Sequence, residues 1–303
     1  MLDKIIESEI FYAMIPDMNK NSEGMENLFL TMLDSPSRRK NTILLLLDMI
    51  PMGHHPLPYI ERIHDPVSRF LLRENFQSSL NDMKLKYDLM RYVQKSKKKY
   101  DLKMGSFLIS RLSDNTEITP EIFSWELNRL ALALKPELEK VKTAEEKMKY
   151  VILYFLHLKK FKCRQEDRCT PESSFLTHVL KTGDCNADTF AVLWILIGTL
   201  SGLKFFAVAV QEKLFLTISI EGKKFFIDPC DAEMIYTDQD FQEFLSCSGI
   251  RFHPDRLPLL SEASLLKRIY RNLIQHYSRE GNFHKEMILR QHVSILEDSS
   301  MSQ

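Results

Sequence analysis

Neither sign of charge dominates this sequence: Lys plus Arg and Asp plus Glu each total 41 across 303 residues. A protein that coats nucleic acid needs a basic excess to neutralise phosphates, so that class is excluded for the chain as a whole. Cysteine is scarce, with five residues at 163, 169, 185, 230 and 247. A sparse, odd set is not the dense lattice of a small secreted scaffold, and reduced thiols in a cytoplasmic protein are the simpler expectation. Glycine, at 9 residues, is too rare for a loop-rich barrel, while 44% hydrophobic content supplies a large core. The N-terminus carries acids where an export signal needs a basic start and an apolar core. Residues 190–210 approach the roughly 20 apolar residues of a membrane span. Thr199-Leu200-Ser201-Gly202 interrupts them and Lys204 charges them, so a buried helix followed by a buried strand is expected instead. G-x-G-x-x-G, G-x-x-x-x-G-K-[ST] and H-E-x-x-H are all missing, and no cofactor is expected.

What is present reads first as a succession of helices. Apolar stripes at helical spacing cover residues 3–14 and 23–33. Ser35-Pro36 then opens a helix holding Ile43-Leu44-Leu45-Leu46-Leu47 and ending near Pro51. Two more helices are predicted over 57–78 and 81–95, joined near Ser78-Ser79-Leu80-Asn81. Thr119-Pro120 opens the next, which Pro136 closes or kinks. Thr143 and Glu146 make a capping box for a helix reaching about Leu158.

The character changes after Phe161. Thr170-Pro171-Glu172 starts a short helix, and Gly183-Asp184-Cys185-Asn186 leads into the apolar helix 186–200. Strands are predicted at 205–210, 214–220 and 223–228, the last two joined as a hairpin by Glu221-Gly222. Alternation puts Leu214, Leu216, Ile218 and Ile220 on one face. Thr237 and Asp240 cap another short helix. A helical hairpin follows, with one helix over 262–279, a turn at Gly281-Asn282 and a second helix through Leu296. A disordered tail is expected from Asp298.

Cys185 most invites chemistry. It lies at or next to the first turn of a buried helix, where unpaired N–H groups favour a thiolate. A Cys–His–Asp site needs a histidine to take the thiol proton and a carboxylate to orient it. Asp228, at the end of the third strand, suits the second role.

The run Ser174-Phe175-Leu176 through Gly183-Asp184-Cys185, then Ser201-Gly202-Leu203, then Ile227-Asp228-Pro229, resembles the SirB1 family of the transglutaminase-like, papain-like superfamily. Ser264-Leu265-Leu266-Lys267-Arg268-Ile269-Tyr270, with Tyr277 and Gly281, resembles that family's tetratricopeptide-like C-terminal hairpin. The resemblance covers roughly residues 105–297. It implies a mostly helical α+β fold, with a small antiparallel transglutaminase-like sheet packed on a central helix and a C-terminal helical hairpin. The implied division is an N-terminal helical region over 1–104, the transglutaminase-like core over 105–250, a linker with the hairpin over 251–297, and the tail 298–303.

The resemblance also implies a nucleophile at Cys185 and an orienting aspartate at Asp228. The family histidine should begin the middle strand, where this sequence has Leu214, or Lys213 if the register slips by one. No histidine occurs between residues 178 and 253. Leucine cannot accept a proton, so the triad is incomplete as written. His178 and His253 are the substitute bases to consider. Asp184 and Asp188 would oppose a thiolate at Cys185 by like-charge repulsion. Two functions compete. The leading one is a catalytically degenerate module that binds another protein or a peptide. The alternative is a cysteine-dependent hydrolase or acyltransferase acting on an amide or thioester. A solely scaffolding helical protein is a weaker third.

Other signals have ordinary explanations. His54, His55, His64 and Asp65 fit no standard ligand spacing, and Cys163 and Cys169 are separated by five residues rather than two to four. No metal site is expected. The basic run over 95–99 reads as a solvated helix end. Cys230 and Cys247 read as isolated thiols.

Overall fold

The computed structural model describes residues 61, 66–96, 100–113, 118–163, 169–211, 213–230, 235–250 and 257–301. The helices predicted over 3–14, 23–33 and 36–50 lie outside the described residues, as do His54, His55, His64, Asp65, residues 97–99 and His253. The chain divides into two compact units, residues 1–86 and 87–303. Helix α1 (Pro66–Lys95) runs through the boundary. It replaces the two helices predicted over 57–78 and 81–95, because Ser78-Ser79-Leu80-Asn81 contains no glycine or proline and merely lowers helix propensity. Gln77 Nε2 donates to Asn81 Oδ1 at 3.3 Å across this point.

In the second unit, Asp101 caps α2 (Leu102–Ser110) by accepting from the N–H groups of Lys103 and Met104. Thr119 caps α3 (Pro120–Lys140), which continues through Pro136 rather than stopping there. The capping box of Thr143 and Glu146 opens α4 (Ala144–Ile152), and a π-helical turn, Leu153–Leu158, extends it. A short parallel pair follows: β1 (Lys162–Cys163) aligns with β2 (Asp184–Cys185), Cys163 opposite Cys185. Between them lie a 3-10 turn, Pro171–Ser174, and α5 (Leu176–Thr182). Gly183 leaves α5 at φ 81°, a left-handed conformation in which a side chain would be strained.

Helix α6 (Ala187–Leu200) is the axis of the domain. Its Trp194 is fully buried and stacks on Phe155 at 4.5 Å, with Phe190 and Phe205 set edge-on around it. Each side chain of this size stabilises the fold by about 1.5–3 kcal/mol through area removed from water. A four-stranded antiparallel sheet follows in chain order: β3 (Phe206–Val210), β4 (Lys213–Ile220), β5 (Lys223–Ile227) and β6 (Ile235–Thr237). Glu221 and Gly222 both have positive φ (53° and 81°), the two-residue turn that matches strand twist. Pairing Ile220 with Lys223 then sets the register of the hairpin.

Polar alternation along β4 is weaker than a half-exposed strand would show, since Phe215 and Thr217 are buried as well as Leu214 and Leu216. The reason is a second cover. Helix α7 (Asp238–Cys247), capped by Thr237 and Asp240, lays Phe241 on Phe226 at 4.1 Å and on Phe215 at 5.0 Å. The C-terminal hairpin is α8 (Glu262–Arg279) and α9 (Phe283–Met301). The outcome is a mostly helical α+β fold. Among the described residues no helix is long and apolar enough to cross a membrane.

Candidate functional site

Cys185 does not belong to the first turn of α6. It is the last residue of β2, one position ahead of Asn186, whose side chain caps the helix by accepting from the Thr189 N–H at 2.9 Å. Asn186 thereby takes one of the free helix donors that could have favoured a thiolate. Cys185 is fully buried, and its Sγ donates to the Lys162 carbonyl at 3.4 Å.

Asp228 follows the end of β5 and is 5% exposed. Its Oδ1 accepts from the Cys230 N–H at 2.9 Å, and its Oδ2 meets Lys213 Nζ at 2.7 Å. The Lys213 side chain is largely exposed, so water screens the pair from one side. Lys213 Nζ also lies 5.4 Å from the Phe215 ring. Leu214 is buried. Alternation turns it toward the opposite face from Phe215, which packs on α7. Lys213, rather than Leu214, is therefore the β4 residue that reaches the aspartate. Counting back from the Glu221-Gly222 turn could have revealed this, because it sets Phe215 one step past the Leu216–Ile227 pair and hence opposite Asp228.

The cysteines correct the expectation of free thiols. Cys163 and Cys230 form a disulfide with Cα atoms 5.0 Å apart, leaving Cys169, Cys185 and Cys247 as thiols among the described residues. Sequence reasoning missed this pair because 67 residues separate its members. The bridge also sets the relation between the two expected site residues. Cys185 pairs with Cys163, Cys163 is bonded to Cys230, and the Cys230 N–H is held by Asp228.

His178 lies on α5, half-buried. Nearby, the Glu172 carboxyl is held below its ordinary value chiefly by the Thr170 hydroxyl. Asp188 plays a different part from the repulsion expected of it. Asp188, in the first turn of α6, accepts from Arg268 Nε and Asn272 Nδ2, each at 2.7 Å. Its charge is thus neutralised by α8 rather than turned on the thiol. Among the described residues no group of three or more His, Cys, Asp or Glu side chains could hold a metal ion.

A helix running back from a cysteine onto an antiparallel sheet that ends in an aspartate is the frame on which a comparison with known families bears. The family model described as "Transglutaminase-like superfamily" matches residues 122–271. Those residues form a transglutaminase-like domain. The match runs from the first turn of α3 to the middle of α8, so it includes Cys185, Lys213 and Asp228 and the first part of the C-terminal hairpin. No curated protein and no solved structure matches the chain.

Proposed function

We propose that the protein is a catalytically degenerate, SirB1-like member of the transglutaminase-like superfamily, acting in the cytoplasm as a protein-interaction or regulatory module. The observation that carries this reading is the Lys213–Asp228 ion pair at 2.7 Å. A carboxylate that orients a catalytic imidazole needs a ring N–H as its partner. Here an ammonium takes that place, and an ammonium has no lone pair with which to accept a thiol proton. The thiol itself donates to a backbone carbonyl. The tetratricopeptide-like hairpin of α8 and α9 supports the interaction role, since helical hairpins commonly present a groove to a peptide or partner helix.

The rival, a cysteine-dependent hydrolase or acyltransferase on an amide or thioester, draws support from the short path joining Cys185 to Asp228 through the bridge. It needs His178 or His253 as the base. Alkylation of Cys185 in the fully reduced protein, followed against pH by peptide mass spectrometry, separates the two. The module reading expects a midpoint at or above the ordinary thiol value of about 8.5. It also expects equal turnover of amide and thioester probes by the wild type and Cys185→Ala. A midpoint well below that value, with turnover lost in the variant, would overturn it.

A further inference from the structure

The Cys163–Cys230 bridge lies nearer the surface than Cys185, one of the three thiols among the described residues. Cys230 is exposed, Cys163 half-buried and Cys185 fully buried. Cys163 and Cys185 are direct partners across β1 and β2. Neighbouring strands lie about 4.8 Å apart, and residues in register project to the same side of the pair. The Cys185 Sγ donates to the carbonyl of Lys162, the residue just before Cys163, so the thiol leans toward the strand that holds the half-cystine. The other half-cystine comes from the turn after β5, where Asp228 holds its N–H. Three cysteines from three separate segments thus meet at one edge of the domain, two of them oxidised and accessible, the third reduced and covered.

We propose that Cys163, Cys185 and Cys230 form a redox-switched thiol site, in which the bridge closes over Cys185 and its reduction by a dithiol uncovers that thiol. One sulfur of the dithiol attacks the exposed Cys230 sulfur, the S–S bond breaks, and Cys163 leaves as a thiolate that takes up a proton. The second sulfur of the dithiol then displaces Cys230 from the mixed disulfide. The dithiol ends as a disulfide, and the protein gains two thiols. Reduction also unties β1 from the turn carrying Asp228, so one event changes both the cover of Cys185 and the tether of the aspartate. The proposal goes beyond the module reading and holds whether or not Cys185 can act as a nucleophile.

The test is pulse labelling of the full chain with N-ethylmaleimide at one pH, read peptide by peptide. The protein is taken either oxidised or reduced with dithiothreitol and desalted without air. The oxidised form should leave Cys163 and Cys230 unlabelled, and Cys185 should react about tenfold or more faster after reduction, as expected when local opening controls access. Exposed Cys247 serves as the internal standard and should react equally in both forms. A Cys230→Ser variant should show the faster Cys185 rate without reductant. Equal Cys185 rates in the two forms, or labelling of Cys163 and Cys230 in the oxidised protein, would overturn the proposal. So would loss of the native circular dichroism spectrum on reduction or in Cys230→Ser, because the bridge would then be a structural staple rather than a cover. The pH midpoint and probe turnover that test the module reading are separate measurements on the reduced protein, so either proposal can fail alone.

Discussion

Replacing Asp188 with alanine should detach the C-terminal hairpin from the centre of the domain. The carboxylate is 6% exposed and makes two 2.7 Å contacts, with Arg268 and Asn272, which lie four residues apart on one face of α8. Removing it takes away the carboxylate that the guanidinium and the amide share in a largely buried site. Breaking a buried pair from one side costs about 3–5 kcal/mol. Arg268 retains 24% side-chain exposure and can recover some hydration, so the lower end, about 3 kcal/mol, is expected. For a unit of this size, about 2–4 °C of melting temperature is lost per kcal/mol, giving a fall of roughly 6–12 °C. Thermal and urea unfolding followed by circular dichroism would measure it. Glu137→Ala, which removes the exposed Lys140–Glu137 pair on α3, is the control and should cost about 0.5 kcal/mol or less. Asp188→Leu combined with Arg268→Met should be distinctly less harmful than Asp188→Ala, since it removes both charges together. A loss below about 1 kcal/mol for Asp188→Ala, or one no smaller for the double variant, would refute the view that charge pairing ties α8 to α6.

Two further outcomes follow from single residues. Pro136 is exposed in the interior of α3 and can donate no N–H to the preceding turn, so Pro136→Ala should stabilise the protein by about 1–3 kcal/mol in urea titrations. A lower midpoint for the variant would show that the helix is shaped around the ring. His276, near the end of α8, is held below its ordinary value first by burial and then by Arg279, with Glu280 and Glu172 opposing. The unfolded chain therefore takes up a proton more readily, and stability falls as the pH drops below the unfolded value of 6.5 toward the depressed folded one. His276→Gln should flatten that part of the stability profile, and parallel wild-type and variant profiles would contradict the assignment.

Much of the framework was legible because it is decided within a few residues. The capping boxes at Thr143 and Thr237, the positive-φ turn at Glu221 and Gly222, the bounds of α8 and the apolar helix over 187–200 each depend on neighbours no more than four positions away. Pro136 does not end α3, and the serines before Asn81 make no joint in α1, because a local propensity penalty of this size does not by itself stop a helix. Strand β6 is three residues long and β1 and β2 are two each, too short for any alternation to show.

The candidate site divides along the same line. Cys185 and Asp228 were legible as residues, since a cysteine before an apolar helix and an aspartate before a proline are patterns in a single stretch. Their surroundings were not. Lys213 on Asp228, Cys163 bonded to Cys230, and Asp188 on Arg268 join segments from 15 to 80 residues apart, and no local pattern carries those pairings. Sequence alone settled most of the helices, the three longer strands and which faces seek cover, because propensity, capping and periodicity act over a turn or two. Only the tertiary structure decided which charge meets which and which sulfurs bond, because those choices depend on how the sheet, α6 and the C-terminal hairpin pack, and that is set by burying their apolar faces together.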